Sequence, residues 1–295
     1  MKLSESIFTL LLTTSLLAGC AEDEPLTAER YRDPDALFSS MESNVLASNS
    51  LEKIMEIDHS RLGKEAGSDM PPARVLIFSN PRLEAQLIKQ NPLVGIDLPL
   101  RALAYESIPD GSSKVIYNSF EFIRSRYGLD ANAELESAYK ASMSEALEGI
   151  KPGQIASFSQ ESMDPDGITT IDSPYDFPTT LEKVMAGINS QDDTVSFGSV
   201  DFQKRSQALG ITTNPATMIL FGGPAPGAKA MSKAPTLGLD AFCQKFLVWQ
   251  DDNNKVYLSF NDLLDLAERQ DVGKSVALRV INYRLSKVFN EVLSE

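Results

Sequence analysis

The alternation of apolar and polar positions predicts short strands and helices that follow one another along most of the chain. In the second half, apolar residues at helical spacing predict helices over 178–190 and 275–293. The strands predicted in the same half cover 168–171, 194–202, 217–221, 242–250 and 255–260. Antiparallel strands with helices gathered on one face are typical of an α+β fold rather than of a doubly wound parallel sheet.

The same pattern occurs twice, because a shift of 143 residues aligns the two halves of the chain. Residues 73–97 fall on residues 216–240 without a gap. Many of the identical pairs are turn-forming or polar residues, which fix a backbone path rather than merely fill a core. They include Asp58/Asp201, Gly67/Gly210, Pro72/Pro215, Asp97/Asp240, Asn118/Asn261 and Arg126/Arg269. We interpret the chain as a duplication, with a first copy over 28–150, a polar linker over 151–167 and a second copy over 168–295.

The N-terminus indicates export and a lipid anchor. An apolar run from Ile7 to Leu17 follows Lys2, and this run is shorter than the about 20 residues that a membrane-spanning helix needs. Its length suits the core of a signal peptide. The four residues that follow from position 17, Leu-Ala-Gly-Cys, resemble the bacterial lipobox. We therefore predict a signal peptide over 1–19 and a lipidated Cys20 that opens an acidic tether over 20–27.

The residue after the lipidated cysteine sets the expected membrane. Asp at that place is the usual signal for retention in the inner membrane of Gram-negative bacteria, and this chain has Ala21 there. The sequence therefore favours a lipoprotein of the outer membrane that faces the periplasm, and the inner membrane is the alternative.

Composition narrows the partners and cofactors. The chain carries 27 Lys and Arg against 41 Asp and Glu, a formal net charge of −14, which disfavours binding to nucleic acid or to anionic lipid surfaces. One His and two Cys exclude the usual zinc ligand sets, iron–sulfur cysteine clusters and the C-x-x-C-H haem attachment. We expect no metal site and no cofactor, and the lipid on Cys20 is the expected contact with the membrane.

Several motifs resemble the family named domain of unknown function 302. In the first copy they are Ile57-Asp58-His59, the segment LIFSNP over 76–81, the segment PLVGIDLPLR over 92–101, and Tyr117-Asn118. The second copy keeps most of them, but Phe202 stands in place of the His, and Ala241-Phe242-Cys243 replaces Leu-Pro-Leu. The resemblance implies a small sandwich of antiparallel sheet and helices that often pairs, and it implies no established reaction. Two fused copies are then expected to pack as an internal pseudo-dimer.

The candidate catalytic residues are Asp58 and His59. His59 is the only side chain whose ordinary pKa lies near neutral, so any acid–base step that uses histidine depends on it. Neighbours in a strand point to opposite faces, so the two side chains need not touch. The competing interpretation is a His at a strand end that caps or packs. The second copy would lack the step at Phe202. The candidate ligand contacts are Asn80, Asp97, Asn118, Asp240, Trp249 and Asn261.

Three classes of function remain open on these residues. The favoured class is a non-catalytic envelope module that binds a small ligand or an envelope protein. The second is an enzyme of unknown reaction that uses Asp58 and His59, with the second copy as a structural partner. The third is a structural or scaffolding lipoprotein. A closed, water-filled pocket of several hundred Å³ lined by both copies would favour the first class over the third.

Overall fold

Within the part of the chain that the structure describes, the first copy and the segment after it contain five helices and five strands. The computed structural model describes residues 27–158 and 167–294, and Cys20 with the predicted signal peptide lies outside them. The elements are α1 (Ala28–Ala47), β1 (Glu52–Asp58), α2 (His59–Glu65), β2 (Ala73–Ser79), α3 (Pro81–Gln90), a 3-10 turn (Pro92–Ile96), β3 (Leu100–Glu106), β4 (Ser113–Ile116), α4 (Phe120–Tyr127), α5 (Ala133–Ala146), a second 3-10 turn (Pro152–Gln154) and β5 (Ile155–Ala156).

The second copy repeats this order. Its elements are β6 (Ile168–Ser173), α6 (Phe177–Asn189), β7 (Val195–Asp201), α7 (Phe202–Ala208), β8 (Ala216–Gly222), α8 (Pro224–Met231), a 3-10 turn (Pro235–Gly238), β9 (Gln244–Gln250), β10 (Val256–Asn261), α9 (Leu263–Arg269) and α10 (Val276–Ser294). The predicted duplication is confirmed, because β1, α2 and β2 recur with identical bounds as β7, α7 and β8 after a shift of 143 residues.

Each copy forms one five-stranded sheet, which confirms the predicted α+β class. The strand orders are β1-β2-β3-β4-β5 and β6-β10-β9-β8-β7. The strands that the two sheets share pair antiparallel. Strand β2 lies between β1 and β3, and β8 lies between β7 and β9. Strand β8 is buried along its whole length and β2 is buried at every position but one. The continuous apolar runs at 73–79 and 216–222 are therefore the central strands of the two cores.

The copies differ at one sheet edge. In the second copy, β6 pairs antiparallel with β10 over six residue pairs. In the first copy, the place beside β4 is taken by β5, which pairs parallel with it over two residue pairs. Strand β5 lies in the segment that we predicted as linker, so part of that segment belongs to the first sheet. Among the described residues, this edge strand of the first sheet is therefore shorter than its counterpart in the second, with two residue pairs against six.

The shared Asp and Gly residues fix the short helices. The side chain of Asp58 accepts a hydrogen bond from the backbone N–H of Arg61 at the start of α2, and Asp201 does the same for α7. Such N-caps satisfy backbone donors that the helix itself leaves free. After these helices the chain turns at Gly67 and Gly210, with φ angles of 79° and 72° that favour glycine.

The two copies pack against each other through reciprocal contacts. Helix α2 of the first copy lies on α8 of the second, and α3 lies on α7. The ring of His59 covers Gly238, where a Cβ would lie 2.8 Å from the His59 Cδ2. The equivalent ring of Phe202 covers Gly95, where a Cβ would lie 2.9 Å from Phe202 Cε2. This reciprocity is the contact pattern of a twofold-related pair, as an internal pseudo-dimer requires.

Within the described residues, no helix combines the length and the apolar character needed to span a bilayer.

Candidate functional site

The structure gives Asp58 and His59 separate partners. The Asp58 carboxylate caps α2 and forms an ion pair with Arg61. His59 is buried between the copies, and its Nε2 lies 2.9 Å from the carbonyl oxygen of Gly238. Burial lowers the pKa of His59 to about 4, although the Gly238 carbonyl and the Asp58 charge oppose this shift. The neighbouring side chains therefore serve a helix end and the inter-copy contact, respectively.

Two of the candidate ligand contacts also have local partners. Asn80 caps α3 through the backbone N–H of Leu83, and its Nδ2 donates to Ser142 Oγ at 3.0 Å. The Trp249 indole N–H donates to Ser259 Oγ at 2.9 Å, and its ring stacks on Tyr257 with centroids 4.6 Å apart.

The other four candidates, Asp97, Asn118, Asp240 and Asn261, meet between the two copies. Together with Arg101, Arg126, Lys245 and Arg269 they form what we call the central cluster. Arg269 donates to Asp240 Oδ2 at 3.2 Å within its own copy and to Asn118 Oδ1 at 2.7 Å in the other copy. The Nδ2 of Asn118 completes the triangle by donating to Asp240 Oδ1 at 3.1 Å.

The other half of the central cluster repeats the two arginine contacts but not the third side of the triangle, because the Nδ2 of Asn261 donates to the backbone carbonyl of Asp240 at 3.4 Å and not to Asp97. Arg126 donates to Asp97 Oδ2 at 2.8 Å within its own copy and to Asn261 Oδ1 at 2.7 Å in the other. Tyr127 adds a hydrogen bond from its hydroxyl to Asp97 Oδ2 at 2.7 Å. Each repeated arginine thus pairs with the aspartate of its own copy and with the asparagine of its partner copy.

Arg101 and Lys245 break this symmetry. Their counterparts at the 143-residue shift are Gln244 and Ala102, so neither cation is repeated. The Lys245 Nζ lies 3.8 Å from Oδ1 of both Asp97 and Asp240. Arg101 Nη1 lies 3.9 Å from Asp240 Oδ1, and Arg101 Nη2 donates to the carbonyl of Leu98 at 3.2 Å.

Burial gives the central cluster strong electrostatics. The side chains of its charged members are between 0% and 5% exposed. Burial alone would raise the pKa of Asp97, but the charges of Arg126, Lys245 and Arg101 outweigh it and hold that pKa well below its ordinary range. Burial and the nearby charge of Arg101 lower the pKa of Lys245 to about 8, against the opposing effect of the two carboxylates.

Four charged residues of the central cluster were not predicted from the sequence, and a comparison of the two copies could have identified two of them. Arg126 and Arg269 are an identical pair at the 143-residue shift, although they were not among the candidate contacts. Arg101 and Lys245 have no such signal, because their charge has no counterpart in the other copy.

A second feature is a cleft of about 810 Å³ on the first copy. It lies between α5, the start of α4 and Ile155 of β5, and its lining comes from one copy, whereas the sequence-based criterion for a binding module was a pocket lined by both. Tyr139 forms part of its wall and donates from its hydroxyl to the backbone carbonyl of Asn118 at 2.8 Å, next to the central cluster. In the second copy, the corresponding edge is occupied by β6, which packs against α10.

Cys243 is a free, buried thiol directly before β9. Burial raises the pKa of this thiol to about 11, so the reactive thiolate is disfavoured at neutral pH. Within 27–158 and 167–294, no group of three or more His, Cys, Asp or Glu side chains is arranged to hold a metal ion.

The burial of His59 makes stability depend on pH. Between pH 6.5 and 4 the unfolded chain takes up a proton at His59 and the folded chain does not, so folding should lose about 3 kcal/mol as the pH falls through this window. His59→Phe, which copies Phe202 over Gly95, should remove that loss. Urea unfolding at pH 7 and at pH 4.5 measures the difference.

Phe202→His is the matched control, since it places a second buried imidazole over the opposite glycine. It should steepen the acid-side loss of stability. An equal loss in the wild type and in His59→Phe would show that other groups cause it.

The central cluster should tolerate the loss of a carboxylate poorly. Asp97→Asn keeps the shape of the side chain but leaves Arg126 and Lys245 without their shared counter-charge, so we expect the free energy of unfolding to fall by about 3–5 kcal/mol. Chemical denaturation measures this change. Asp130→Asn on the exposed surface is the control and should change it by less than about 0.5 kcal/mol. Similar values for both variants would contradict the electrostatic role.

Part of this chain is similar in sequence to curated proteins. Three Brucella proteins are similar to 109 residues of this chain at 34% identity, which is 37% of the chain. They are the fluoride-specific ion channels FluC 1 of Brucella suis biovar 1 (strain 1330), FluC 1 of Brucella abortus biovar 1 (strain 9-941) and FluC 2 of Brucella melitensis biotype 1. The chain spans only 40–42% of the length of these curated relatives.

A solved structure that is similar to part of this chain is that of an uncharacterized conserved protein DUF302 from Bacillus stearothermophilus, with 16% sequence identity and a TM-score of 0.36. The match covers 44% of this chain and 97% of that one. The model of the family described as "Domain of unknown function DUF302" matches twice, over residues 30–150 and 169–292. These two matches coincide with the two copies found by self-alignment, and they contain every strand of the two sheets in full except β5, which lies outside them, and the first residue of β6. The chain therefore belongs to the DUF302 family and carries two tandem copies of its domain.

Proposed function

We propose that the protein is a membrane-anchored envelope lipoprotein whose first copy binds a ligand non-catalytically in the cleft beside α5. The observation that carries this proposal is the volume of the cleft, about 810 Å³, which lies within the range of small-molecule sites. The cleft is lined by one copy, and the second copy acts as its support through the central cluster.

The floor of the cleft suits an apolar ligand. Phe120, Tyr139 and Met143 are buried residues that line it, and Ile155 of β5 closes one side. Aromatic rings and methionine offer large, adaptable contact surfaces. The ligand would therefore present an apolar chain or ring to this floor.

The rim of the cleft favours a positive charge on the ligand. Glu121, Glu145 and Glu148 line it, against one cation, Lys140. Lys140 is already engaged, since its Nζ lies 2.7 Å from carboxylate oxygens of both Glu121 and Glu136. The net charge of −14 adds a long-range attraction for cations. An amphipathic molecule with a basic group, or a basic and apolar segment of an envelope protein, matches these features.

The proposed anchor is the lipid on Cys20. Several acyl chains, each contributing about 0.8 kcal/mol per buried CH₂, would hold the chain at the membrane surface. The acidic tether over 20–27 would then separate the lipid from α1, which begins at Ala28. With Ala21 after the cysteine, we assign the outer membrane, and the cleft would face the periplasm.

Binding to the cleft can be tested with dodecylamine below its micelle concentration. We expect saturable binding to the wild type by calorimetry and much weaker binding of dodecanoate, because the rim is acidic. Ala141→Trp fills the cleft from the exposed face of α5 and should weaken dodecylamine binding at least about tenfold.

Ser137→Trp is the matched control, since Ser137 is exposed on the same helix and lies outside the cleft. It should bind dodecylamine as the wild type does. Equal binding of both amphiphiles, or equal weakening by both tryptophan variants, would favour a purely structural lipoprotein.

The anchor can be tested by fractionation of cells. Wild-type protein should sediment with the outer membrane, and its N-terminal peptide should carry the mass of acyl groups on Cys20. Cys20→Ser should leave the protein out of the outer-membrane fraction, because the thioether to the lipid cannot form. Ala21→Asp should move it to the inner membrane. Membrane association of Cys20→Ser equal to that of the wild type would contradict the proposed anchor.

A further inference from the structure

We propose that the central cluster binds a small monovalent anion against Arg101 and Lys245, between the two copies. This site is separate from the cleft and involves different residues, so it stands or falls independently of the proposed ligand.

The charge count of the cluster supports the proposal. Among the described residues, its buried charged side chains are four cations and two carboxylates. The repeated part is balanced, because Arg126 pairs with Asp97 at 2.8 Å and Arg269 pairs with Asp240 at 3.2 Å. Arg101 and Lys245 therefore bring two positive charges beyond balance into a region that excludes water. A buried charge without a counter-charge is costly, by several kcal/mol per ion.

The hydrogen bonds of the cluster leave donors for an anion. Lys245 Nζ is buried, with a side chain 2% exposed, and has no hydrogen-bond partner among the residues that the structure describes. The Nε of Arg101 is also buried without a partner there. The nearest carboxylate oxygens, Oδ1 of Asp97 and Oδ1 of Asp240, lie 3.8 Å from Lys245 Nζ, beyond hydrogen-bond length, and Asp97 Oδ1 is itself without a partner there. Two neighbouring cations thus each keep a donor that no described protein atom uses.

The lack of symmetry separates this pair from the packing of the copies. If Arg101 and Lys245 served only to join two equivalent domains, the same charges would be expected at Gln244 and Ala102. The symmetric arginines already supply the reciprocal bonds between copies. The surplus charge is an addition to one side of the interface, and an anion would balance it.

Burial limits the anion to a small one with a single charge. Arg101 and Lys245 are 3% and 2% exposed, so a ligand must give up nearly all of its hydration to reach them. The desolvation cost rises steeply with charge, which disfavours sulfate and phosphate. Chloride, with its single charge, meets this requirement.

The test uses the full chain at constant ionic strength, with chloride replacing the bulky anion gluconate. We expect the thermal unfolding midpoint to rise with chloride concentration and to saturate. Chloride NMR lines should broaden on adding the protein, which reports binding directly. Sulfate at matched ionic strength should not raise the thermal unfolding midpoint.

The repeat itself supplies the test variants. Arg101→Gln and Lys245→Ala each install the residue that the other copy carries at the equivalent position. Both should weaken chloride binding by at least about tenfold, because each removes a unit charge next to the ion. Lys255→Ala, at an exposed position, is the control and should bind chloride as the wild type does.

The chloride NMR measurement on the wild type tests the proposal even if a variant does not fold. No saturable broadening of chloride lines by the wild type would overturn the proposal, and so would unchanged chloride affinity in either folded variant. A wild type that responds equally to chloride, sulfate and gluconate would show general salt effects only and would also overturn it.

A pH series adds a second readout. Lys245 faces the charged side chains of Arg101, Arg126, Asp97 and Asp240. Chloride affinity should fall between pH 7 and pH 9 as Lys245 loses its proton, whereas an affinity that stays constant over this range would exclude Lys245 as the binding charge.

Discussion

The fold is organised around the need to neutralise arginines that are buried at its centre. Arg126 meets the aspartate of its own copy, but that carboxylate satisfies only part of the guanidinium. Its Nη2 donates to Asn261, which belongs to the other copy, and to the backbone carbonyl of Gly167. Arg269 has the same requirement in the opposite direction. Each copy therefore buries its arginine with the help of the other, and the two halves depend on each other at a point that is shielded from water.

The close approach of the copies follows from this requirement. A guanidinium reaches an asparagine in the other copy only if the backbones between them come near, and Gly95 and Gly238 allow this by leaving room for the rings of Phe202 and His59. The capped helices α2 and α7 hold those rings at their first residues. Caps, glycines and buried ion pairs are thus parts of one contact, which explains why they recur together at the 143-residue shift.

The sequence predicted the duplication, the class of fold and most of the element bounds, because periodicity and turn residues report local structure. It also marked Asp97, Asn118, Asp240 and Asn261, since repeated polar residues stand out in a self-alignment. It did not reveal that these residues face each other, because reciprocal packing is a tertiary property. Arg101 and Lys245 were missed for the same reason that makes them informative, namely that they are not repeated. The cleft depends on β5 replacing a longer edge strand, which falls in a segment whose polar composition predicted a linker.

The fusion of the two copies in one chain has a consequence for their stoichiometry. In a homodimer of single domains, every substitution appears twice, so a new lysine at the interface would face its own image across the axis. Two such charges would repel each other, or both would need to be balanced. In a tandem chain the two copies can differ. One molecule can therefore hold a single Arg101, a single Lys245, and a His59 whose counterpart in the other copy is Phe202. A fused pair can therefore carry a residue once per molecule, away from the twofold axis. A function that depends on such a residue then also occurs once per molecule, although the scaffold consists of two equivalent domains.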